Sequence, residues 1–284
     1  MQGENYKNFL FFRHSLPGGD VNEYPGLSQE GVDLAKGEKA KNFVEFMEEC
    51  DPKTVLFIGA ASENSRTKST AIAIGEGVKQ IIVDEKREDM MIINWDDVQK
   101  IKKEENPERM AAEIARIINQ NPEKKIIVDT PLVSGKYLSF GQWSDEYYDA
   151  LAKATGSKDK FKYAELWMKT GGAPIDGVKG PDPIEVAKQQ LRLIKTLEGL
   201  ASHYGVKDRP MIVAPADHSW HMAALAVYLK NRGKIDSEGV RELGGEIKEG
   251  EIMHIKVKNG EGFLIYNGIE YSIDFKLIED VYNE

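Results

Sequence analysis

The chain has 284 residues and carries 47 acidic against 38 basic side chains, a net charge of −9. That balance excludes broad, non-specific attachment to nucleic acid or acidic membrane, which needs a basic face, but leaves room for a small cationic pocket. With 41% hydrophobic and 30% charged residues and Cys50 as the only cysteine, the composition is that of a globular chain of one large or two ordinary domains. No intrachain disulfide is possible, and secretion gains no support.

Residues Asn8 to Phe12 (NFLFF) predict a strand buried on both faces, and it runs into Arg13-His14-Ser15. FLFF is too short for the apolar core of a leader and Arg13 interrupts it, so no leader is expected. No apolar run approaches the roughly 18 residues of a membrane helix, and a cytoplasmic location is expected. After the loop SLPGGDVNEYPG, Ser28 opens a helical pattern with Val32, Ala35, Ala40, Phe43 and Met47 near helical spacing, ended by Asp51-Pro52. TVLFIG (54–59) reads as a second strand, SRTKSTAIAI (65–74) as a helix, and QIIVD (80–84) as a third strand.

A charged helical region follows from about Asp96 to Gln120, broken by Asn106-Pro107. KIIVD (125–129) predicts a strand, and SDEYYDALAKAT and KFKYAELWMKT predict helices. The loop 171–183 leads to an amphipathic helix over 184–205, then the strand PMIVA (210–214) and the helix SWHMAALAVYLKN. The alternating C-terminal stretch, with its NGEG and NG turns, reads as antiparallel strands. Strand–helix alternation of this kind gives an α/β fold with a mostly parallel sheet, which places ligands at the C-terminal ends of its strands.

Three such ends carry reactive residues: Arg13-His14 after the first strand, Arg66 at a helix start after the second, and Asp217-His218 after the late strand. Two histidines, two arginines and two helix N-termini at one edge suit phosphoryl transfer. An imidazole can carry the phosphoryl group covalently, and guanidinium forks hold its oxygens. A carboxylic acid must protonate the leaving alkoxide and later activate water.

Arg13-His14-Ser15, Leu27-Ser28-Gln29-Glu30-Gly31, the run Ser62 to Ala71 (SENSRTKSTA) and MIVAPADHSWHMAALAVYL resemble, in the same order, the motifs of the histidine phosphatase superfamily, also called phosphoglycerate mutase-like. The resemblance implies a three-layer α/β/α sandwich forming a single catalytic domain over 1–284, with residues 95–182 as an inserted helical cap. It implies that His14 is the phosphorylated nucleophile, that Arg13 and Arg66 bind phosphoryl oxygens, and that His218 is the second pocket histidine. Members often carry the acid in a short stretch after the third strand. Here that is Asp84 to Asp89, which points to Glu88, then Asp89, with Asp217 as a third choice. Ser15 stands where glycine is common, and Asp20 where mutase-type members have asparagine; Asn22 is nearby but out of register.

The expected activity is hydrolysis of a small phosphorylated substrate with no cofactor and no metal. Three other readings stay open: phosphoglycerate mutase-type transfer, a metal hydrolase using His218 and His221, and a phospho-ligand binding module without turnover. The aromatics Tyr137, Phe140, Trp143, Tyr147, Tyr148 and Trp167 read either as pocket lining or as core. His254 is expected to be a surface or packing residue.

Overall fold

A computed structural model gives the fold. It describes residues 6–19, 21, 23–62, 64–94, 96–97, 100, 107–129, 143–203, 209–249, 251–258 and 261–283. Eight strands, β1 (Tyr6–Arg13), β2 (Val55–Ala60), β3 (Met90–Ile93), β4 (Lys125–Asp129), β5 (Met211–Asp217), β6 (Ile252–Lys258), β7 (Glu261–Tyr266) and β8 (Ile269–Ile273), form one sheet. Their order is β3-β4-β2-β5-β1-β6-β7-β8. The first five run parallel and the last three antiparallel.

Alternation along β1 explains why Phe9 to Phe12 (FLFF) are apolar throughout. Phe9 and Phe11 face one side of the sheet, Leu10 and Phe12 the other, and all four are at most 2% exposed. Each such burial contributes about 1.5–3 kcal/mol. On the Leu10–Phe12 side lie α1 (Gln29–Leu34), a π-helical turn (Ala35–Lys39), α2 (Ala40–Glu49) and α3 (Ser65–Asp84). On the other lie α4 (Pro107–Asn119), whose Ile114 and Ile118 meet Val55 and Phe57, with α7 (Pro183–His203) and α8 (Ser219–Lys230) against Phe9 and Phe11. The result is the three-layer α/β/α sandwich. The remaining helices are α5 (Asp145–Thr155), α6 (Lys160–Thr170), α9 (Ser237–Glu242) and α10 (Lys276–Asn283).

Two expectations change. QIIVD is not a strand: α3 continues through it to Asp84, with Val83 64% exposed and Gln80 Nε2 donating to Asp84 Oδ1 at 2.8 Å. The third strand is Met90–Ile93 instead. Residues 95–182 are not one insertion either, because α4 and β4 belong to the sandwich and β4 lies between β3 and β2. Of that stretch, α5 and α6 stand beside the C-terminal ends of β1 and β5. Tyr147, Leu151 and Trp167 join them to the same core as Phe9 and Phe11.

Candidate active site

The turn after β1 is fixed by Ser15, which is fully buried. Its hydroxyl donates to Gly31 O at 2.6 Å, and its N–H donates to Thr70 Oγ1 at 3.0 Å. The side chain thereby ties the strand end to α1, and the backbone ties it to α3. Gly31 is required there, since a Cβ at that position would stand 2.3 Å from Leu16 O. The start of α1 is capped by Ser28, whose Oγ accepts from Gly31 N at 3.0 Å. A hydroxymethyl where the motif commonly has glycine is thus accounted for by one buried hydrogen bond, from Oγ to Gly31 O.

His14 is 6% exposed, and its N–H continues the β1–β5 pairing by donating to Asp217 O at 2.9 Å. Its Nδ1 lies 2.7 Å from Ser15 O. A carbonyl only accepts, so Nδ1 is the protonated nitrogen and Nε2 keeps its lone pair. Burial, then Arg66, Arg13 and Lys39, lower its pKa to about 3, and the imidazole is neutral.

His218 leaves β5 just before α8, and its ring centroid is 5.1 Å from that of His14. Its Nε2 is 3.1 Å from Ser62 Oγ, which itself meets Thr67 Oγ1 at 3.0 Å. Burial, then His221 and His14, hold its pKa well below the usual histidine value. Asp217 is fully buried, and its Oδ1 accepts from His218 N at 2.7 Å and from His221 Nδ1 at 3.1 Å. It therefore orients the pocket histidines rather than lining the cavity.

Arg13 donates from Nη1 to Ile247 O at 2.7 Å and pairs through Nη2 with Glu249 at 2.7 Å, while Glu246 lies 3.9 Å away. Its Nε is buried without a hydrogen-bond partner. Arg66 opens α3 behind the Asn64 cap, whose Oδ1 accepts its N–H at 3.1 Å. Its guanidinium is half-buried and, among the described residues, makes no hydrogen bond or ion pair. Burial, which disfavours the charged form, lowers its pKa from the ordinary guanidinium value. Arg13, His14, Arg66 and His218 line one cavity of about 730 Å³. A half-buried Arg66 with no ion pair among the described residues, the buried Arg13 Nε and a neutral imidazole are what an anion site requires.

The carboxylates at this cavity are Asp145, Asp149, Glu246 and Glu249. Glu88 and Asp89 are not among them. Both are exposed and precede β3, at the opposite end of the parallel strands, where Asp89 O accepts from Lys125 N at the start of β4. Arg87 occupies Asp89 there, Nε to Oδ1 at 3.1 Å. The structure thus separates Glu88 from His14, Arg13, Arg66 and His218. The paired glutamates escaped the sequence reading because they sit in the turn-rich loop after Gly244-Gly245, with no motif around them. Asp20, Asn22, Tyr137 and Phe140 lie outside the described residues. Among the described residues no group of three or more His, Cys, Asp or Glu gathers in a metal-holding arrangement.

No protein-family model matches the chain, and no curated protein matches it in sequence at the significance required. Among solved structures, it is similar to a mycobacterial glucosyl-3-phosphoglycerate phosphatase at 16% identity and TM-score 0.43, over 89% of this chain and 91% of that one. A phosphoglycerate mutase from Bacillus anthracis is similar at 12% identity and TM-score 0.44, over 98% of each chain. A protein described as mycobacterial hydrolase 2 is similar at 13% identity and TM-score 0.46, over 98% and 97%. Likenesses of this size carry no weight for function, which rests on the side chains themselves.

Proposed function

We propose that this chain is a metal-independent phosphomonoesterase working through a phosphohistidine at His14. The observation that carries the reading is a neutral, tautomer-fixed His14, 5.1 Å from the ring of His218, in a cavity shared with Arg13 and Arg66. The Nε2 lone pair attacks phosphorus as the ester P–O bond breaks. Positive charge develops on the imidazole, and Ser15 O stabilises it through Nδ1–H. Arg13 and Arg66 hold the equatorial oxygens. A dianionic phosphoryl group offsets the cations that depress His218, so that histidine becomes a better donor as substrate binds.

The leaving alkoxide needs a proton. We assign this proton to Glu246, which lines the cavity with His14 and is held at its wall by Trp220 Nε1, donating to its Oε1 at 2.8 Å. As carboxylate it then takes a proton from water, which attacks the phosphohistidine and breaks the N–P bond. Neutral His14 and inorganic phosphate result. The test is hydrolysis of p-nitrophenyl phosphate in chelator, with vanadate as competitor. His14→Ala is expected to lose at least about 10³-fold in turnover. Full activity in that variant contradicts the reading.

A further inference from the structure

Which phosphomonoester fits is written in the wall that α5 and α6 add to the cavity. Asp145, Tyr148 and Asp149 are spaced three and four residues apart, so they share one face of α5, and all three line the cavity. Tyr148 is 40% exposed, unusual for a large aromatic in this protein. Its ring is stacked on Trp143, with centroids 5.5 Å apart and planes 29° apart, and is supported by Trp220 at 5.3 Å. The wall is an aromatic surface with two carboxylates, Asp145 and Asp149, beside it on the same helix face. Carboxylates only accept hydrogen bonds, so they call for a ligand rich in donors. The aromatic ring calls for a flat apolar face. A sugar ring has both, with hydroxyl donors around a C–H face.

The same features disfavour other leaving groups. A second phosphate or carboxylate would face Asp145 and Asp149, countered on that wall only by Lys160, exposed at the first turn of α6. A quaternary ammonium needs several open aromatic faces, but Trp220 and Tyr163 are 6% and 8% exposed and Trp167 is fully buried. An aryl group would stack yet leave both carboxylates without donors.

We infer, on the strength of the proposed phosphatase reading, that the substrate class is the monophosphate of an uncharged sugar or similar polyhydroxylated ring, seated on Tyr148 within reach of the cavity's carboxylates Asp145 and Asp149. The experiment measures kcat and KM for acetyl phosphate, hexose monophosphates, a hexose bisphosphate, 3-phosphoglycerate, choline phosphate and phenyl phosphate, using wild type and Tyr148→Ala. The expected result is kcat/KM at least about tenfold higher for a hexose monophosphate than for the bisphosphate or 3-phosphoglycerate. Tyr148→Ala should raise KM for the sugar substrate about tenfold more than for acetyl phosphate, which has no ring to stack. Preference for 3-phosphoglycerate, choline phosphate or phenyl phosphate overturns the substrate class while leaving the phosphatase reading intact. Equal KM changes for the two substrates overturn the role of Tyr148. Absence of turnover with every phosphate, acetyl phosphate included, overturns the phosphatase reading itself and the inference with it.

Discussion

Two arginines stand at opposite ends of the parallel strands with equally exposed side chains, 18% for both Arg13 and Arg87. Arg87 is saturated: Glu48, Glu85 and Asp89 all surround it, and its hydrogen bonds to Asp89 and then to Glu48 push its pKa above the ordinary guanidinium value. At the other end Arg13 keeps a buried Nε without a partner, and burial lowers the pKa of its neighbour Arg66. One end is a self-neutralised surface network of the kind that adds little to stability. The other also pairs Arg13 with Glu249, but leaves Arg66 without an ion pair among the described residues, in the same cavity as a neutral histidine. A charge cluster becomes a candidate site when one of its cations is left without an anion.

That contrast can be broken by exchanging the two arginines' fates. Arg66→Ala is expected to reduce kcat/KM for p-nitrophenyl phosphate by about 10²–10³-fold, with Arg66→Lys recovering part of it, because a point charge replaces a two-pronged fork. Arg87→Ala should leave kcat/KM at the wild-type value; a comparable loss in both variants would erase the distinction between the ends.

The carboxylates make a second pair. Glu246→Gln should slow an alkyl phosphate about 10²-fold and an aryl phosphate less, since the aryl oxide leaves without a proton. Glu88→Gln should change neither rate, and a large effect there would return the acid to the motif stretch.

Ser15→Ala probes the scaffold under the site. It removes the donor to Gly31 O in a fully buried setting, and about 1–3 kcal/mol of stability should go with it in urea unfolding. Acid sensitivity gives a graded effect, small per pH unit. The unfolded His14 binds a proton near its ordinary 6.5, but the folded one waits until about pH 3. Its contribution is therefore present above pH 6.5 and is lost as pH falls from 6.5 towards 3. The slope is on the order of 1 kcal/mol per pH unit. His14→Gln should flatten the unfolding profile over that window by this amount. His254, lowered to about 3 by burial and donating from Nε2 to Asn8 Oδ1 at 2.9 Å, should hold its share of the slope in that variant.

Much of this was legible from residue patterns. Apolar runs revealed β1, β2, β4 and β5, because strands buried on both faces leave no room for polar residues. Turn signals revealed the antiparallel end. The ordered Arg13-His14, Arg66 and His218 do meet in one cavity. The acid was misplaced for a traceable reason. Ile81, Ile82 and Val83 are β-branched and resemble a strand, but Gly77 lets α3 pack against the π-helical turn, where a Cβ would stand 2.1 Å from Lys36 O. The helix runs on, and the true strand begins at Met90. With the third strand set too early, Glu88 read as following it, whereas it precedes it, at the wrong end of the sheet. The Arg13 clamp by Ile247, Glu246 and Glu249 is a tertiary arrangement over more than 230 residues of separation, and local patterns carry no trace of it.

The most direct measurement is a rapid-quench trap of the enzyme during turnover of a phosphomonoester, held alkaline because phosphoimidazole is acid-labile, followed by peptide mapping of the bound phosphoryl group. The account predicts one phosphoryl group per chain, on the peptide carrying His14, and none in His14→Ala. Turnover with no phosphoenzyme, or label on any other residue, would contradict it.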